Sequence, residues 1–123
     1  MISMFDLYKG KDFIFSGRTS LSRMWDICSE DPLVLYFQTT QKEAEGAYKS
    51  MILTEYSPDE VIIGEDGEKY SSLNKSLYDL CLYDYDDSAV YEAISFLSKE
   101  EINNFKEYIK DKPKSEEILR KYM

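Results

Sequence analysis

Apolar residues in the second half of the chain recur at the three- and four-residue spacing of amphipathic helices. Three consecutive segments show this spacing, and they are separated by an interruption at 83–87 and by Ser98. Their inward-facing positions are Leu73, Leu77, Leu80 and Cys81, then Val90, Ile94 and Leu97, then Ile102, Phe105 and Ile109. After Pro113, "SEEILRKY" has acids at its start and bases at its end, which suits the helix dipole. The pattern therefore predicts four helices after Leu73.

Shorter elements are predicted in the first forty residues. We expect an opening helix at 2–8, a brief strand in "DFIFSG" that ends at Gly17, and a helix with Thr19 or Ser20 as its N-cap. The apolar face of that helix consists of Leu21, Met24, Trp25 and Cys28. The continuous apolar run "LVLYF" at 33–37 then predicts a buried strand.

Helix starts are suggested by pairs with the capping-box spacing, in which a hydroxyl and a carboxylate each accept a hydrogen bond from a free amide. Thr40 with Glu43 forms one such pair and Ser98 with Glu101 another. The helix predicted after Thr40 carries Ala44, Ala47, Tyr48, Met51 and Ile52 on one side. Asp87 or Ser88 is expected to cap the helix that contains Val90.

Residues 57–73 carry two competing signals. "SPDE" at 57–60 has the capping-box spacing with proline at the first helical position. The β-branched "VII" at 61–63 and the "DG" at 66–67 favour a β-hairpin. A hairpin, or one helical turn leading into a strand, would fit. The predicted fold class is α+β, with a single helix-rich globular domain over 1–123 that contains a small β-sheet or hairpin.

Charge changes this picture, because the formal net charge of -9 lies entirely in one segment. Residues 55–92 contain eleven acids and two bases, while the other residues contain thirteen of each. The acids are Glu55, Asp59, Glu60, Glu65, Asp66, Glu68, Asp79, Asp84, Asp86, Asp87 and Glu92. The same segment holds six of the eleven tyrosines. Acidity of this kind argues against direct nucleic-acid binding, because phosphates would be repelled.

The composition also restricts the chemistry. The chain has no histidine, which removes Ser-His and Cys-His dyads and every histidine metal site. Cys28 and Cys81 are predicted to be buried, reduced thiols in helices. No phosphate-binding loop or dinucleotide motif is present. We therefore expect no catalytic residue, no metal and no cofactor. The rival interpretation is an enzyme whose metal is held by carboxylates, with Asp79, Asp84, Asp86 and Glu92 as the ligands.

The stretch "LCLYDYDDSAVYEA" at 80–93 combines four carboxylates with three tyrosines. A solvated face that only keeps the protein soluble needs no aromatic rings, whereas binding hot spots favour them. The predicted partner-binding residues are therefore Tyr83, Asp84, Tyr85, Asp86 and Asp87, with Glu65, Asp66 and Glu68 on the proposed hairpin as a second patch. Carboxylates around exposed rings would attract a basic protein partner.

In its overall character the chain resembles the immunity proteins of bacterial polymorphic toxin systems, including contact-dependent growth inhibition. The features that carry the resemblance are about 120 residues, an acidic α+β chain and the surface segment "YDYDDSAVYE". The resemblance implies an antitoxin that binds the nuclease domain of a toxin, blocks its active site and performs no chemistry itself. A phage-encoded mimic of nucleic acid that inhibits a defence nuclease is the alternative, and its physics would be the same.

The expected compartment is the cytoplasm, with no membrane partner. No run of eighteen apolar residues is present, as a transmembrane helix would require. The opening "MISMFDLYKGKDF" carries Asp6 and lacks both a basic region and a small-residue cleavage site, so a signal peptide is not predicted.

Overall fold

The fold was taken from a computed structural model, which describes residues 3–10, 13–38, 51–54, 57–83 and 87–123. Within these ranges the chain forms six helices and five strands. The helices are α1 (Met4–Tyr8), α2 (Gly17–Arg23), α3 (Leu73–Tyr83), α4 (Asp87–Ser95), α5 (Lys99–Ile109) and α6 (Ser115–Tyr122). The strands are β1 (Ile14–Phe15), β2 (Leu35–Gln38), β3 (Met51–Leu53), β4 (Val61–Ile63) and β5 (Lys69–Ser71).

The five strands form one mixed sheet in the order β3-β2-β1-β5-β4. β1 pairs with β2 antiparallel and with β5 parallel, while β2 and β3 are parallel to each other. β4 pairs with β5 antiparallel and forms an edge of the sheet. The predicted α+β class is therefore confirmed, with a sheet larger than a lone hairpin.

An aromatic cluster covers one face of the sheet. Phe15 lies opposite both Phe37 and Tyr70 in the strand register, so the three side chains share this face. The cluster consists of Phe5, Phe13, Phe15, Leu35, Phe37 and Tyr70, all buried. The ring centroids of Phe5 and Phe15 are 4.7 Å apart, which places the opening helix α1 against the sheet. Contacts of this kind supply both apolar burial and a preferred ring geometry.

A second core joins α3 to α6. Leu77, Leu80, Phe105 and Ile109 are fully buried in it, as their helical spacing predicts. The start of α5 has the predicted capping box, in which Ser98 Oγ accepts from the Glu101 amide at 3.1 Å and Glu101 Oε1 accepts from the Ser98 amide at 2.9 Å. The four helices predicted after Leu73 are all present.

The helix predicted from Leu21 to Cys28 is wrong in its bounds. α2 begins after Ser16 and ends at Arg23, so Met24, Trp25 and Cys28 follow the helix. Asp26 takes a left-handed backbone conformation with φ 53°, which an α-helix cannot continue through. Trp25 and Cys28 still pack against the helical core and Met24 against the aromatic cluster, which is why the apolar spacing gave no sign of the helix end.

The predicted caps of α2 have other partners. Thr19 Oγ1 accepts a hydrogen bond from the Tyr36 amide at 2.9 Å, and Ser20 Oγ donates to Ser76 Oγ at 2.6 Å. Both hydroxyls therefore tie α2 to neighbouring elements rather than starting the helix. Both cysteines are reduced thiols, as predicted, but Cys28 is buried in a loop rather than a helix, and Cys81 lies in α3 only half-buried.

Two further predictions concern the centre of the chain. Met51 and Ile52 were expected on a helix, but they belong to β3, which pairs with β2. The capping box at Thr40 and Glu43 and the rest of that helix lie outside the described residues. Between 57 and 73 the hairpin signal prevails: a turn, closed by a hydrogen bond from the Glu60 amide to the Ser57 carbonyl, leads into β4 and β5.

Candidate protein-binding site

The loop between β4 and β5 is a three-residue hairpin turn. The Gly67 amide donates to the Gly64 carbonyl at 3.0 Å, and the Gly64 amide donates to the Glu68 carbonyl at 2.9 Å. Gly67 has φ 81°, a conformation that glycine adopts without steric cost. A type I turn followed by a left-handed residue is a usual solution for such a loop, and "DG" supplies it here.

Side-chain contacts hold this loop in one arrangement. Asp66 Oδ1 accepts from the Glu68 amide at 3.0 Å, and Asp66 Oδ2 accepts from the Tyr70 hydroxyl at 2.5 Å. Glu68 Oε1 accepts from the Gly10 amide at 2.7 Å, which connects the hairpin to the end of α1. Burial raises the pKa of Tyr70 and the bond to Asp66 raises it further, so the phenol stays protonated as a donor.

The hairpin region is strongly acidic. Residues 57–72 contain five acids and one base, a net charge of -4. Asp59, Glu65 and Asp66 are exposed, whereas Glu60 and Glu68 are half-buried. Beside the loop lies a recess of about 410 Å³. Its walls are formed by Arg23, Met24, Gly64, Glu65, Asp66 and Tyr70. The recess is therefore lined by two carboxylates, one guanidinium and apolar and aromatic side chains.

Exposed apolar side chains accompany these acids. Ile62 and Ile63 on β4 keep 37% and 61% of their surface accessible. Ile62 lies opposite Tyr70 and so faces the same side of the sheet as the aromatic cluster. Since successive side chains of a strand point to opposite faces, Ile63 lies on the other face, and the two isoleucines flank the edge strand beside the acidic loop. We define the hairpin surface as Asp59, Ile62, Ile63, Glu65 and Asp66.

The other predicted patch is only partly described. Tyr83, at the end of α3, is 37% exposed, while Asp84, Tyr85 and Asp86 lie outside the described residues. α3 follows the hairpin directly, and its eleven residues place Tyr83 about 15 Å from Leu73 along the helix axis. The length of α3 thus lies between Tyr83 and the residue that follows the hairpin region.

Asp87 is engaged within the chain. Its Oδ1 accepts from the Tyr122 hydroxyl at 2.7 Å and its Oδ2 lies 2.9 Å from Lys121 Nζ. The hydrogen bond from Tyr122, followed by that from Lys121, lowers the pKa of Asp87 below its usual range. This carboxylate links α4 to α6, and part of its charge is balanced by Lys121.

A buried ion pair in α3 has no counterpart in the sequence predictions. Lys75 Nζ lies 2.8 Å from Asp79 Oδ1, and their side chains are 2% and 0% exposed. Ser16 Oγ donates to Asp79 Oδ2 at 2.5 Å, which joins α3 to the end of β1. Burial raises the pKa of Asp79, and Lys75 acts in the opposite direction. The i,i+4 spacing of the two residues is the one signal that pointed to this pair.

The alternative hypothesis of a carboxylate metal site names four acids, of which the structure describes Asp79 and Glu92. These two carboxylates make separate contacts. Asp79 is paired with Lys75, and Glu92 accepts from the Ser29 amide at 2.8 Å and from its hydroxyl at 3.3 Å. The described ranges hold no group of three or more acids or cysteines placed to bind a metal ion. The structure therefore brings Asp79 and Glu92 to separate structural contacts.

Another recess, of about 230 Å³, lies where α3 meets the end of α5 and is lined by Lys75, Tyr78, Tyr108 and Lys112 among others. Its cations already have partners: Lys75 pairs with Asp79, and the ammonium of Lys112 lies 4.5 Å from the centre of the Tyr108 ring. Both lysines therefore take part in contacts within and between the helices.

Comparison with protein-family models, with curated proteins and with solved structures finds no match to this chain. Within the ranges that the structure describes, no helix has the length and apolar character needed to cross a bilayer.

Proposed function

We propose that this protein is an acidic inhibitor that binds a basic protein partner through the hairpin surface. The observation that carries the proposal is the combination, on one fixed hairpin, of exposed Ile62 and Ile63 with the exposed carboxylates of Asp59, Glu65 and Asp66. In the specific form that the resemblance suggests, it is a cytoplasmic immunity protein that neutralises the nuclease domain of a toxin.

Each part of the hairpin surface has a distinct role in this account. The isoleucines supply apolar area that becomes buried against the partner, and this sets the dissociation rate. The carboxylates attract a cationic partner and raise its association rate by roughly 10- to 1000-fold at low salt. The complete interface would bury roughly 800 Å² on each protein, so it extends beyond the hairpin.

An acidic surface of this kind would inhibit a partner whose active site lies in a positively charged groove. A nuclease groove is positively charged because it binds phosphates, and a folded carboxylate surface can occupy the same groove. The inhibitor itself performs no chemistry and needs no cofactor. Tyr83, Asp84, Tyr85, Asp86 and Asp87, which the sequence predicts as the main patch, are here proposed as a second contact beside the hairpin surface. A phage-encoded inhibitor of a defence nuclease would use the same physics on a different partner.

The test is capture of partners from the native host at low salt, with identification by mass spectrometry. The charge variant is Asp59→Asn with Glu65→Gln, since both carboxylates are exposed. The control is Glu100→Gln with Glu116→Gln, which removes the same charge from exposed positions on α5 and α6. A basic protein should be recovered with the wild type and the control, and much less with the hairpin variant.

Two outcomes would contradict the proposal. Equal loss of the partner in both variants would show that only total charge matters, and the hairpin would not be the site. Full retention by the hairpin variant, together with loss on Asp87→Asn, would move the site to the junction of α3 and α4.

A further inference from the structure

The register of the hairpin determines which backbone groups of β4 point outward. The Ser72 amide donates to the Glu60 carbonyl, and the Gly64 amide donates to the Glu68 carbonyl. Ile62 pairs with Tyr70 between these two bonds. Because hydrogen-bonded and non-hydrogen-bonded pairs alternate in an antiparallel ladder, positions 60, 62 and 64 face β5. The amides and carbonyls of Val61 and Ile63 therefore point away from the sheet.

These outward groups lie on an open edge. In the part of the chain that the structure describes, β5 is the one strand that pairs with β4, and no backbone hydrogen bond to another loop or helix involves Val61 or Ile63. Natural edge strands are commonly blocked by a lysine, a proline or a bulge. β4 is short, at three residues, but its sequence "VII" has no lysine or proline, and its pairing with β5 has no bulge.

The acidic residues that flank β4 determine the charge of a strand that could pair with this edge. Asp59 and Glu60 precede β4, and Glu65 and Asp66 follow it, so both ends of the strand are acidic. A second copy of the chain would bring a hairpin of net charge -4 against an identical one, which is unfavourable. An extended segment that carries lysine or arginine would instead meet carboxylates at both of its ends.

We propose that β4 binds a basic, extended segment of the partner as an added strand of the sheet. The inference rests on the proposed function and specifies how the hairpin surface is used. The N–H and C=O groups of Val61 and Ile63 provide up to four main-chain hydrogen bonds to the added strand. Apolar side chains of that strand pack on Ile62 and Ile63, and its basic side chains lie against Glu65 and Asp66.

The test uses a synthetic peptide of seven alternating lysine and valine residues and measures amide hydrogen exchange by NMR. In the free protein, the Val61 and Ile63 amides should exchange fast, while the Ile62 and Gly64 amides are protected by β5. Saturating peptide should slow exchange at Val61 and Ile63 by about tenfold or more, because these amides gain acceptors. The same peptide with every amide N-methylated retains its charge and should have no such effect.

The variant Ile63→Pro removes one outward donor without touching the ladder to β5, since proline is tolerated on the open side of an edge strand. It should abolish the peptide effect while Ile62 and Gly64 stay protected. If the variant does not fold, comparing the effects of the unmodified and N-methylated peptides on the wild type still tests strand addition. Unchanged exchange at Val61 and Ile63, or an equal effect of the N-methylated peptide, would overturn the inference.

The two proposals can fail separately. If a basic partner is captured through the hairpin acids but leaves Val61 and Ile63 exchanging freely, strand addition is wrong and the inhibitor proposal stands. If the peptide protects both amides but no basic protein is captured from the host, the open edge is real and the proposed function is wrong.

Discussion

Asp79 and Glu65 belong to the same acidic segment, yet the fold gives them opposite environments. Asp79 is completely buried against Lys75, whereas Glu65 is exposed on the hairpin loop. A sequence shows that both carry charge, but burial depends on which elements pack around each one. Asp79 is therefore not among the acids that a partner can meet, but the net charge of 55–92 outside the buried pair is still -9, because Lys75 is buried with it.

The buried ion pair gives a prediction for stability. Asp79→Asn or Lys75→Met should each lower the free energy of unfolding by about 3–5 kcal/mol, because the other charge is left buried without its partner. The double variant should lose clearly less than the sum of the two. Urea unfolding of the four proteins in a double-mutant cycle measures this coupling. Additive losses would show that the two side chains do not stabilise each other.

The link from Asp87 to Tyr122 gives a pH prediction. The pKa of Asp87 is lowered on folding, so its contribution is present above the ordinary carboxyl pKa and is lost as pH falls through the folded value. Burial, followed by the bond to Asp87, raises the pKa of Tyr122 to about 12. That contribution is present below pH 10 and is lost as pH rises toward 12.

Replacing Asp87 with Asn should therefore lower the pKa of Tyr122, since the neighbouring negative charge is gone. Titration of the Tyr122 ring resonances by NMR measures the change, with Tyr122→Phe used to assign them. A Tyr122 pKa that is the same in wild type and Asp87→Asn would show that this hydrogen bond is absent in solution.

At the scale of elements, the sequence signals that correctly predicted helices are those that involve residues only three or four positions apart. The apolar stripes of α3 and α5 and the capping box at Ser98 depend on contacts three or four residues apart, and all were predicted. The end of α2 was missed because the apolar spacing does not mark it, and the strand β3 was missed because it is defined by pairing with β2, a separate segment of the chain. Asp26 turns the chain where apolar spacing continues, and Met51–Leu53 pairs with β2 although its composition also suits a helix.

The candidate site shows the same division. "VII" followed by "DG" favoured a hairpin but left a helical start at 57–60 open, and the β4–β5 pairing decides between the two. Glu65, Asp66 and Glu68 were chosen as candidates on that proposed hairpin. The open edge of β4 could not be predicted, since the order of strands in the sheet is not encoded within the hairpin itself. The roles of Asp66 and Glu68 in holding the loop likewise depend on Tyr70 and Gly10.

A substitution at Gly64 tests how tightly the hairpin loop packs against Tyr70. A Cβ added there would lie 2.7 Å from an atom of the Tyr70 ring and 2.8 Å from Asp66 Oδ1. Gly64→Ala should therefore cost about 1–3 kcal/mol, the usual range for overpacking. The cost, measured by urea unfolding, should shrink in a Tyr70→Ala background. The same cost in both backgrounds would contradict this account of the loop.

The helix caps provide a second prediction at this scale. Ser98→Ala removes the hydroxyl that accepts from the Glu101 amide and should destabilise the protein by about 0.5–2 kcal/mol. Ser98→Thr should recover most of the loss, because threonine keeps the acceptor. Thermal or urea unfolding of the two variants provides the comparison, and equal stability of Ser98→Ala and wild type would argue against the cap.

For the molecule as a whole, the fold pairs some acids of the central segment with groups inside the chain and leaves others exposed. Asp79 is neutralised inside the core, Asp87 is balanced by Lys121, and Glu92 is bound to Ser29. Among the described residues, the hairpin retains exposed carboxylates beside exposed apolar side chains. Of the acids in 55–92 that the structure describes, Asp59, Glu65 and Asp66 are thus exposed together at the β4 edge of the sheet.

The most direct test of this account is the association rate of the captured partner, measured by surface plasmon resonance at several salt concentrations. For the wild type and the Glu100→Gln, Glu116→Gln control, the rate should be high at low salt and fall as salt screens the charges. The Asp59→Asn, Glu65→Gln variant should associate about tenfold more slowly at low salt, and the difference should narrow as salt increases. Equal association rates for the two variants at every salt concentration would contradict the central role of the hairpin surface.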